Sequence, residues 1–302
     1  MLQAEDTIAF LLEALDLGKT MLARRLPSIL PDLTFEEALD VTKIHSIAGT
    51  LPSDVSLVTE RPFRSPHHTI SYSALVGGGR IPKPGEISLA HFGVLFLDEM
   101  PEFKKDILEL LREPLEDGKI TISRTNSTIT YPSKTMLISS MNPCPCGYYG
   151  SSDKECTCTH DQISRYLHRI SGPLLDRIDI QVEVRSVNFD ELSDTRKAES
   201  SHTIKERVDR ARKIQNERYK NDGIYSNSEL TPELMTKYCK LDNESKQILK
   251  NAFEKLGFSA RSHDRVIKLA RTIADLECSE NIKSKHIAEA IQYRNLDRKY
   301  WK

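Results

Sequence analysis

The sequence predicts an α/β fold: a core with a mainly parallel sheet and an inserted β-hairpin, followed by an α-helical bundle. Three observations predict it. Apolar, strand-like runs alternate with helical patterns through the first half of the chain. Residues 93–97 (GVLFL) form a continuous apolar run, as expected of a strand buried on both faces of a parallel sheet. After about Asn188 the chain becomes charged, periodic and nearly free of glycine. The boundary is placed there, with residues 1–187 as the core and 188–302 as the helical domain.

Taken in order, the strand candidates are 7–12 (TIAFLL), 93–97, 135–139 (TMLIS) and 180–184 (IQVEV), the last alternating as a half-exposed strand. Helical patterns cover 20–30, 35–47 and 104–115. Two short β-type runs, 119–123 and 128–131, flank a turn at 124–127 and read as a hairpin. In the second half, 202–220 places Ile204, Val208, Ala211, Ile214 and Tyr219 at amphipathic spacing. Thr231 before Pro232 is a helix start, and Gly257 stops the pattern 243–256. Ser259 and Ser284 are expected to cap two more helices, giving a bundle of four or five.

The 302 residues carry 43 Lys and Arg against 44 Asp and Glu, a net charge of -1. That balance excludes a generally basic nucleic-acid coat, so any contact with DNA must be local. The longest apolar runs, such as 8–12 and 94–97, are far too short to span a bilayer, and the N-terminus lacks a basic n-region. Six cysteines are too few for a disulfide scaffold, and four of them crowd into 144–158. That fits metal binding in a reducing compartment, and a cytoplasmic protein is expected.

The chemistry starts with the run 93–99, GVLFLDE. An apolar strand ending in two acids puts carboxylates at the C-terminal edge of a parallel sheet, where α/β proteins bind ligands. In a nucleoside triphosphatase Asp98 would hold the Mg²⁺ shell and Glu99 would orient or deprotonate the attacking water; the alternative is a strand followed by an acidic surface turn. Gly18, Lys19 and Thr20 supply half of a phosphate loop: the Lys meets the β and γ oxygens and the hydroxyl binds Mg²⁺. The spacing asks for glycine at position 13, where Glu13 stands, and Ala14, Leu15, Asp16 and Leu17 fill the interval. Carboxylates beside a triphosphate repel it, and residues other than glycine resist left-handed backbone.

Asn142 follows the strand 135–139 at the same edge; it either hydrogen-bonds the attacking water or caps a turn before Pro143. Cys144, Cys146, Cys156 and Cys158 form two C-x-C pairs nine residues apart. Four thiolates can close a tetrahedral zinc site, with His160 as a substitute ligand; free thiols in a mobile loop, or a redox or iron–sulfur role, are the alternatives. Arg177 precedes the strand 180–184 and either reaches a neighbouring subunit's γ-phosphate or pairs locally with Asp176 or Asp179. Arg261 opens a helix of the second domain; it closes on the phosphates or is a surface residue like Arg265 and Arg271. His67 and His68 are adjacent, so their side chains should diverge and serve a turn. Cys239 and Cys278 lie in or beside helical patterns and are expected in the core.

The phrases RPFRSPHHTISYSALVGGGRIPKPGEISLAHFGVLFLDEMPEF, REPLEDGKITISR, SSMNPCPCGYYG and RISGPLLDRIDIQVEV resemble the magnesium-chelatase-like AAA+ ATPases of the ComM type. The match runs from about Gly18 to Glu277. The resemblance implies an AAA+ P-loop core and helical lid, using ATP and Mg²⁺, as a homo-hexamer around DNA in branch migration for recombination and DNA uptake. It implies Walker A at Lys19 and Thr20, and Walker B at Asp98 and Glu99. Asn142 matches the first sensor, Arg177 the arginine finger and Arg261 the second sensor. The hairpin 119–131 matches a pore insertion, which makes Arg124 a candidate DNA contact. Two departures are visible. EALDLGKT stands where the family has a glycine-rich loop, and the family's N-terminal domain, similar to that of Lon proteases, is not in this sequence, with a truncated gene and a replaced start as the alternatives. Metal insertion, as in magnesium chelatase, and a non-catalytic remnant are the competing functional expectations.

Overall fold

The computed structural model describes residues 9–13, 19–124, 127–150, 154–184 and 198–294. Gly18 and the run 14–17 lie outside them, as does the domain boundary near 188. The elements of the first half are β1 (Ala9–Glu13), α1 (Lys19–Arg25), α2 (Phe35–Ala48), β2 (Phe63–Arg64), α3 (Tyr72–Leu75), β3 (Gly77–Gly78), β4 (Lys83–Pro84), α4 (Glu86–Leu89), β5 (Val94–Leu97), α5 (Lys105–Glu109), α6 (Arg112–Asp117), β6 (Lys119–Arg124), β7 (Ser127–Pro132), β8 (Met136–Met141), α7 (His160–Leu167), α8 (Gly172–Leu175) and β9 (Ile180–Val184). Five of the strands form one sheet in the order β2-β5-β8-β1-β9, and every pairing in it is parallel.

The expected strands are present, with β8 running on to Met141. Two expected helices are broken, each beside a proline. The pattern 20–30 ends as an α-helix at Arg25 and continues as a 3-10 turn, Leu26–Ile29, around Pro27. The pattern 104–115 splits into α5 and α6 at Leu110 and Leu111. Pro114 has no N–H for the Leu110 carbonyl and its ring crowds that carbonyl, so one continuous helix cannot form.

The second half folds as five helices among the described residues: α9 (Ser201–Arg218), α10 (Pro232–Tyr238), α11 (Asn243–Leu256), α12 (Ala260–Leu276) and α13 (Ser284–Gln292). The capping signals act as expected in three places. Thr231 accepts from Leu234 N–H, Ser259 accepts from Ser262 N–H, and Gly257 closes α11 in the left-handed conformation at φ 68°. Ser284 is instead the first residue of α13, with Lys283 in the cap position.

The sheet separates two cores. Leu95, Leu97, Leu137 and Met141 face helices α5 to α8, with Ile107, Leu108, Ile163, Leu167 and Leu174. Val94, Phe96, Met136 and Ile138 face the other way, against Tyr219, Val266, Ala270 and Ile273 of the helical half. Alternate residues of β5 therefore enter opposite cores, which is why the run is apolar throughout. Gly93 admits this strand beside Pro62: a Cβ there would lie 2.1 Å from the Pro62 carbonyl oxygen. The helical half is also tied to β9, since Gln181 N–H donates to the Tyr293 carbonyl and buried Arg294 donates to that of Ile178.

The inserted hairpin is β6 paired antiparallel with β7, from Lys119 opposite Pro132 to Arg124 opposite Ser127. A second, shorter hairpin, β3 with β4, was not expected from sequence. The Tyr131 hydroxyl donates to the Pro82 carbonyl at 2.7 Å and ties the two hairpins together.

Candidate functional site

Because the sheet is parallel, all its strands finish at one edge, and that edge collects the first set of polar residues. Asp98 follows β5, Asn142 follows β8, and Lys19 and Thr20 open α1 after β1. The Thr20 hydroxyl donates to Asp98 Oδ2 at 3.0 Å. The other carboxylate oxygen, Oδ1, takes the Ser140 hydroxyl in a short hydrogen bond and the Glu99 N–H at 3.1 Å. That N–H also reaches Ser140 Oγ at 3.1 Å. Holding it there puts Glu99 in the left-handed region, at φ 50° and ψ 50°, and its side chain is exposed. A non-glycine residue in that region costs on the order of 1–3 kcal/mol, a strain that accumulates at functional sites.

The donor set is hard: a hydroxyl and a carboxylate. Thr20 spends its proton on Asp98 and keeps lone pairs for a cation, which suits Mg²⁺. The Lys19 side chain lies outside the described residues, as does that of Arg124, although the backbone of both is placed.

Asn142 is half-buried, and its backbone meets the hydroxyl of Tyr166 on α7. Burial raises the Tyr166 phenol well above its ordinary value, so it stays neutral. The four cysteines lie between those two residues in sequence. Their sulfurs all fall within 4.8 Å of one another. Cys144 is 3.3 Å from Cys146 and 3.7 Å from Cys156, and Cys146 is 3.6 Å from Cys156. Four thiolates about 2.3 Å from one zinc ion sit about 3.8 Å apart at the corners of a tetrahedron, so the residues fit that metal. All four are free of disulfides. Burial and the neighbouring Cys146 push the Cys144 thiol up to about 12. Burial also opposes charge on Cys146, but N–H groups of Tyr148 and Thr157 and the adjoining thiols lower it to about 5. His160 begins α7 and is not part of the cluster.

The second set of residues lies at the opposite edge. Arg177 precedes the first residue of β9, and Glu116 lies in the last turn of α6, whose capping Gly118 and the facing Ser133 lead into the start of β8. The six residues of β8 set these edges about 16–20 Å apart. Arg177 does not pair with Asp176 or Asp179. Its Nη2 reaches Glu116 Oε1 at 2.5 Å and its Nη1 donates to the Pro173 carbonyl at 2.5 Å. Asp179 takes Arg265 at 2.5 Å instead. Arg261 approaches Glu116 at 3.4 Å, so it stands with Arg177 rather than with Asp98. The three arginines of α12 also differ: Arg261 is exposed, Arg265 is paired and Arg271 is buried against Asp275.

Two further expectations fail. The His67 and His68 rings lie 4.1 Å apart rather than diverging. Cys278 is exposed just past α12, at φ 54°, because the helix has already ended; Cys239 is buried as expected. Sequence reasoning missed Ser140, Tyr166 and Glu116. Ser140 carried a signal, a hydroxyl inside a buried strand; Glu116 carried none, since an acid near a helix end is ordinary.

This arrangement, a parallel sheet with a threonine and an acid joined at its C-terminal edge and five helices closing one face, defines an α/β fold with a P-loop-type core and a helical domain. The family model described as "Magnesium chelatase, subunit ChlI" matches residues 10–192, and "Magnesium chelatase, subunit ChlI C-terminal" matches residues 198–294. The chain belongs to the magnesium chelatase ChlI family. It is 47% identical over 282 residues to the uncharacterized protein YifB of Escherichia coli, covering 93% of this chain and 54% of that protein. It is 44% identical to competence protein ComM of Haemophilus influenzae, again over 93% and 54%. With the uncharacterized protein Rv2897c of Mycobacterium tuberculosis the identity is 39%, over 92% and 55%. The chain thus spans about half the length of the curated relatives it matches. No helix among the described residues is long and apolar enough to cross a membrane.

Proposed function

We propose that the chain is an ATP-dependent module that acts on DNA, remodelling or branch-migrating it in recombination or DNA uptake as a ring of identical copies. The observation that carries this reading is the Thr20–Asp98 hydrogen bond. Two groups far apart in sequence meet with the chemistry of a Mg²⁺–triphosphate site. Thr20 and Asp98 would hold Mg²⁺, which when bound neutralises phosphate charge. Glu99, exposed beside them, takes the proton of the attacking water, and Asn142 helps place that water. Lys19 and Gly18 would meet the phosphates. Arg177 and Arg261, at the opposite edge, serve a neighbouring copy, because a strand's length separates them from their own Asp98. The ComM relative's name supports a role in competence. The hairpin that ends at Arg124 is the proposed DNA contact, and a zinc ion on the four cysteines would pin the segment after Asn142.

The test is ATP hydrolysis by purified protein with Mg²⁺ and DNA, set against a Lys19→Ala control. Rates no higher than that control remove the reading. A metal-insertion motor is the second reading, favoured by the family match itself. Stimulation by a porphyrin-binding partner rather than by DNA would select it. A non-catalytic scaffold is the third, favoured by Glu13 where a phosphate loop has glycine. A fluorescent ATP analogue that fails to bind would select that one.

A further inference from the structure

The helical half carries a cleft of about 1100 Å³, away from the Thr20–Asp98 edge. Two helices line it with the same spacing. Lys246, Leu249, Lys250 and Phe253 of α11 lie at i, i+3, i+4 and i+7, and Ala260, His263, Asp264 and Ile267 of α12 repeat that interval. Residues so spaced share one face of a helix. Ile248, Ala252 and Leu256 of α11 pack into the bundle core, so this helix has a second apolar face turned to the cleft. Met235 and Cys239 of α10 complete the apolar lining.

The lining is apolar and the rim is basic. Met235, Cys239, Leu249 and Ile267 are buried, whereas Phe253 is 39% exposed and its ring meets His263 edge-on at 6.3 Å. Burial pushes the Cys239 thiol up to about 11, so the lining gains no charge there. Lys240 and Lys246 are exposed, and their ammonium groups make no ion pair among the described residues. The acids of the cleft already have partners: Glu254 lies 3.9 Å from Lys250, and Asp264 lies 3.0 Å from His263. The uncompensated charge is therefore positive. Small-molecule pockets usually enclose about 300–1,000 Å³, and a cleft above that range suits a stretch of chain with several side chains.

We propose that this cleft docks an amphipathic segment of a partner protein, one in which acidic residues accompany bulky apolar ones. The apolar side chains cover Phe253 and Leu249, and the acids pair with Lys240 and Lys246. Charge complementarity selects this occupant. A basic segment meets two unpaired lysines, and a purely acidic one leaves the Phe253 ring in water. Nucleic acid matches the lysines, but its bases stack on aromatic platforms, and the cleft offers mainly aliphatic groups. The site belongs to the helical half, and it stands whether or not the Thr20–Asp98 edge hydrolyses ATP.

The experiment follows the fluorescence anisotropy of a labelled synthetic peptide, built from Asp, Glu, Leu and Phe in amphipathic order, as the full chain is added. Two control peptides replace either the acids by Lys or the Leu and Phe by Ser. The acidic amphipathic peptide should bind at least about tenfold more tightly than either control, and added salt should weaken it because the rim pairs are screened. Phe253→Ala should weaken binding about tenfold, as for an aromatic anchor, and Lys240→Glu/Lys246→Glu by about tenfold or more. Melting curves identify a variant that fails to fold; the two lysines are exposed, so their variant decides the matter if Phe253→Ala unfolds. Absent binding, equal binding of the three peptides, or wild-type affinity in the lysine variant overturns the proposal. Displacement of the peptide by a tighter-binding single-stranded oligonucleotide also overturns it, in favour of a nucleic-acid site. Sedimentation supplies the last arm. If the peptide does not bind and the lysine variant loses a self-association that the unmodified chain shows, a second copy covers the cleft and the proposal falls.

Discussion

The Thr20 hydroxyl donates to Asp98 Oδ2 at 3.0 Å across 78 positions of sequence, and Ser140 holds the other oxygen of the same carboxylate. Asp98 is therefore held in one orientation by its own neighbours. Under the proposed ATPase function, Asp98→Asn should abolish Mg²⁺-dependent hydrolysis. Ser140→Ala should be milder: losing one hydrogen bond to a charged group costs about 1.5–3 kcal/mol, or about ten- to a hundredfold in the Mg²⁺ requirement. A Mg²⁺ titration of the ATPase rate checks both. An unchanged midpoint in Ser140→Ala would show that the bond does not orient the acid.

The cysteine cluster predicts bound metal. Protein purified from zinc-supplemented cells should carry about one zinc per chain, and Cys144→Ser or Cys158→Ser should lose it. Because the ligands hold the segment between Asn142 and Tyr166, metal loss should also lower the melting temperature. Elemental analysis showing no zinc in the unmodified chain would reject the site.

His91 predicts acid sensitivity. It is 3% exposed, and its Nδ1 accepts the Lys134 N–H at 3.1 Å. Burial lowers it from 6.5 to about 4. The unfolded chain therefore binds more protons than the folded one between those values. Its contribution is complete above pH 6.5 and is lost as pH falls toward 4, by up to about 3 kcal/mol. Urea unfolding at several pH values checks this; His91→Asn should flatten the acid limb, and an unchanged slope would contradict it.

Asp275 predicts a large stability loss in the helical half. It is fully buried and accepts from Arg218 at 2.5 and 2.8 Å, from Arg271 at 3.1 Å and from Asn227 at 2.9 Å. Asp275→Ala leaves two cations without their acid, which costs about 3–5 kcal/mol. A melting temperature within a degree or two of wild type would refute the assignment.

Local patterns made much of the fold legible. The run 94–97 announced a strand buried on both faces, and Thr231, Ser259 and Gly257 marked helix ends, because capping depends on a few neighbouring groups. The breaks at Pro27 and Pro114 were equally local, and they were missed because the apolar spacing continued through them. The resemblance, carried by long phrases, named Asp98, Asn142 and Arg177, none of which spacing alone could lift above an ordinary turn or ion pair.

By itself, then, the sequence determined the alternation of elements, the family, and which residues carry polar groups to strand ends. Tertiary structure decided which of those groups meet. Thr20 reaches Asp98 because every strand of the sheet runs the same way and finishes at one edge; Arg177 and Arg261 share Glu116 because they stand at the other. Pairings of that kind depend on how layers stack, and stacking is set by side chains scattered through the whole core rather than by any neighbour along the chain.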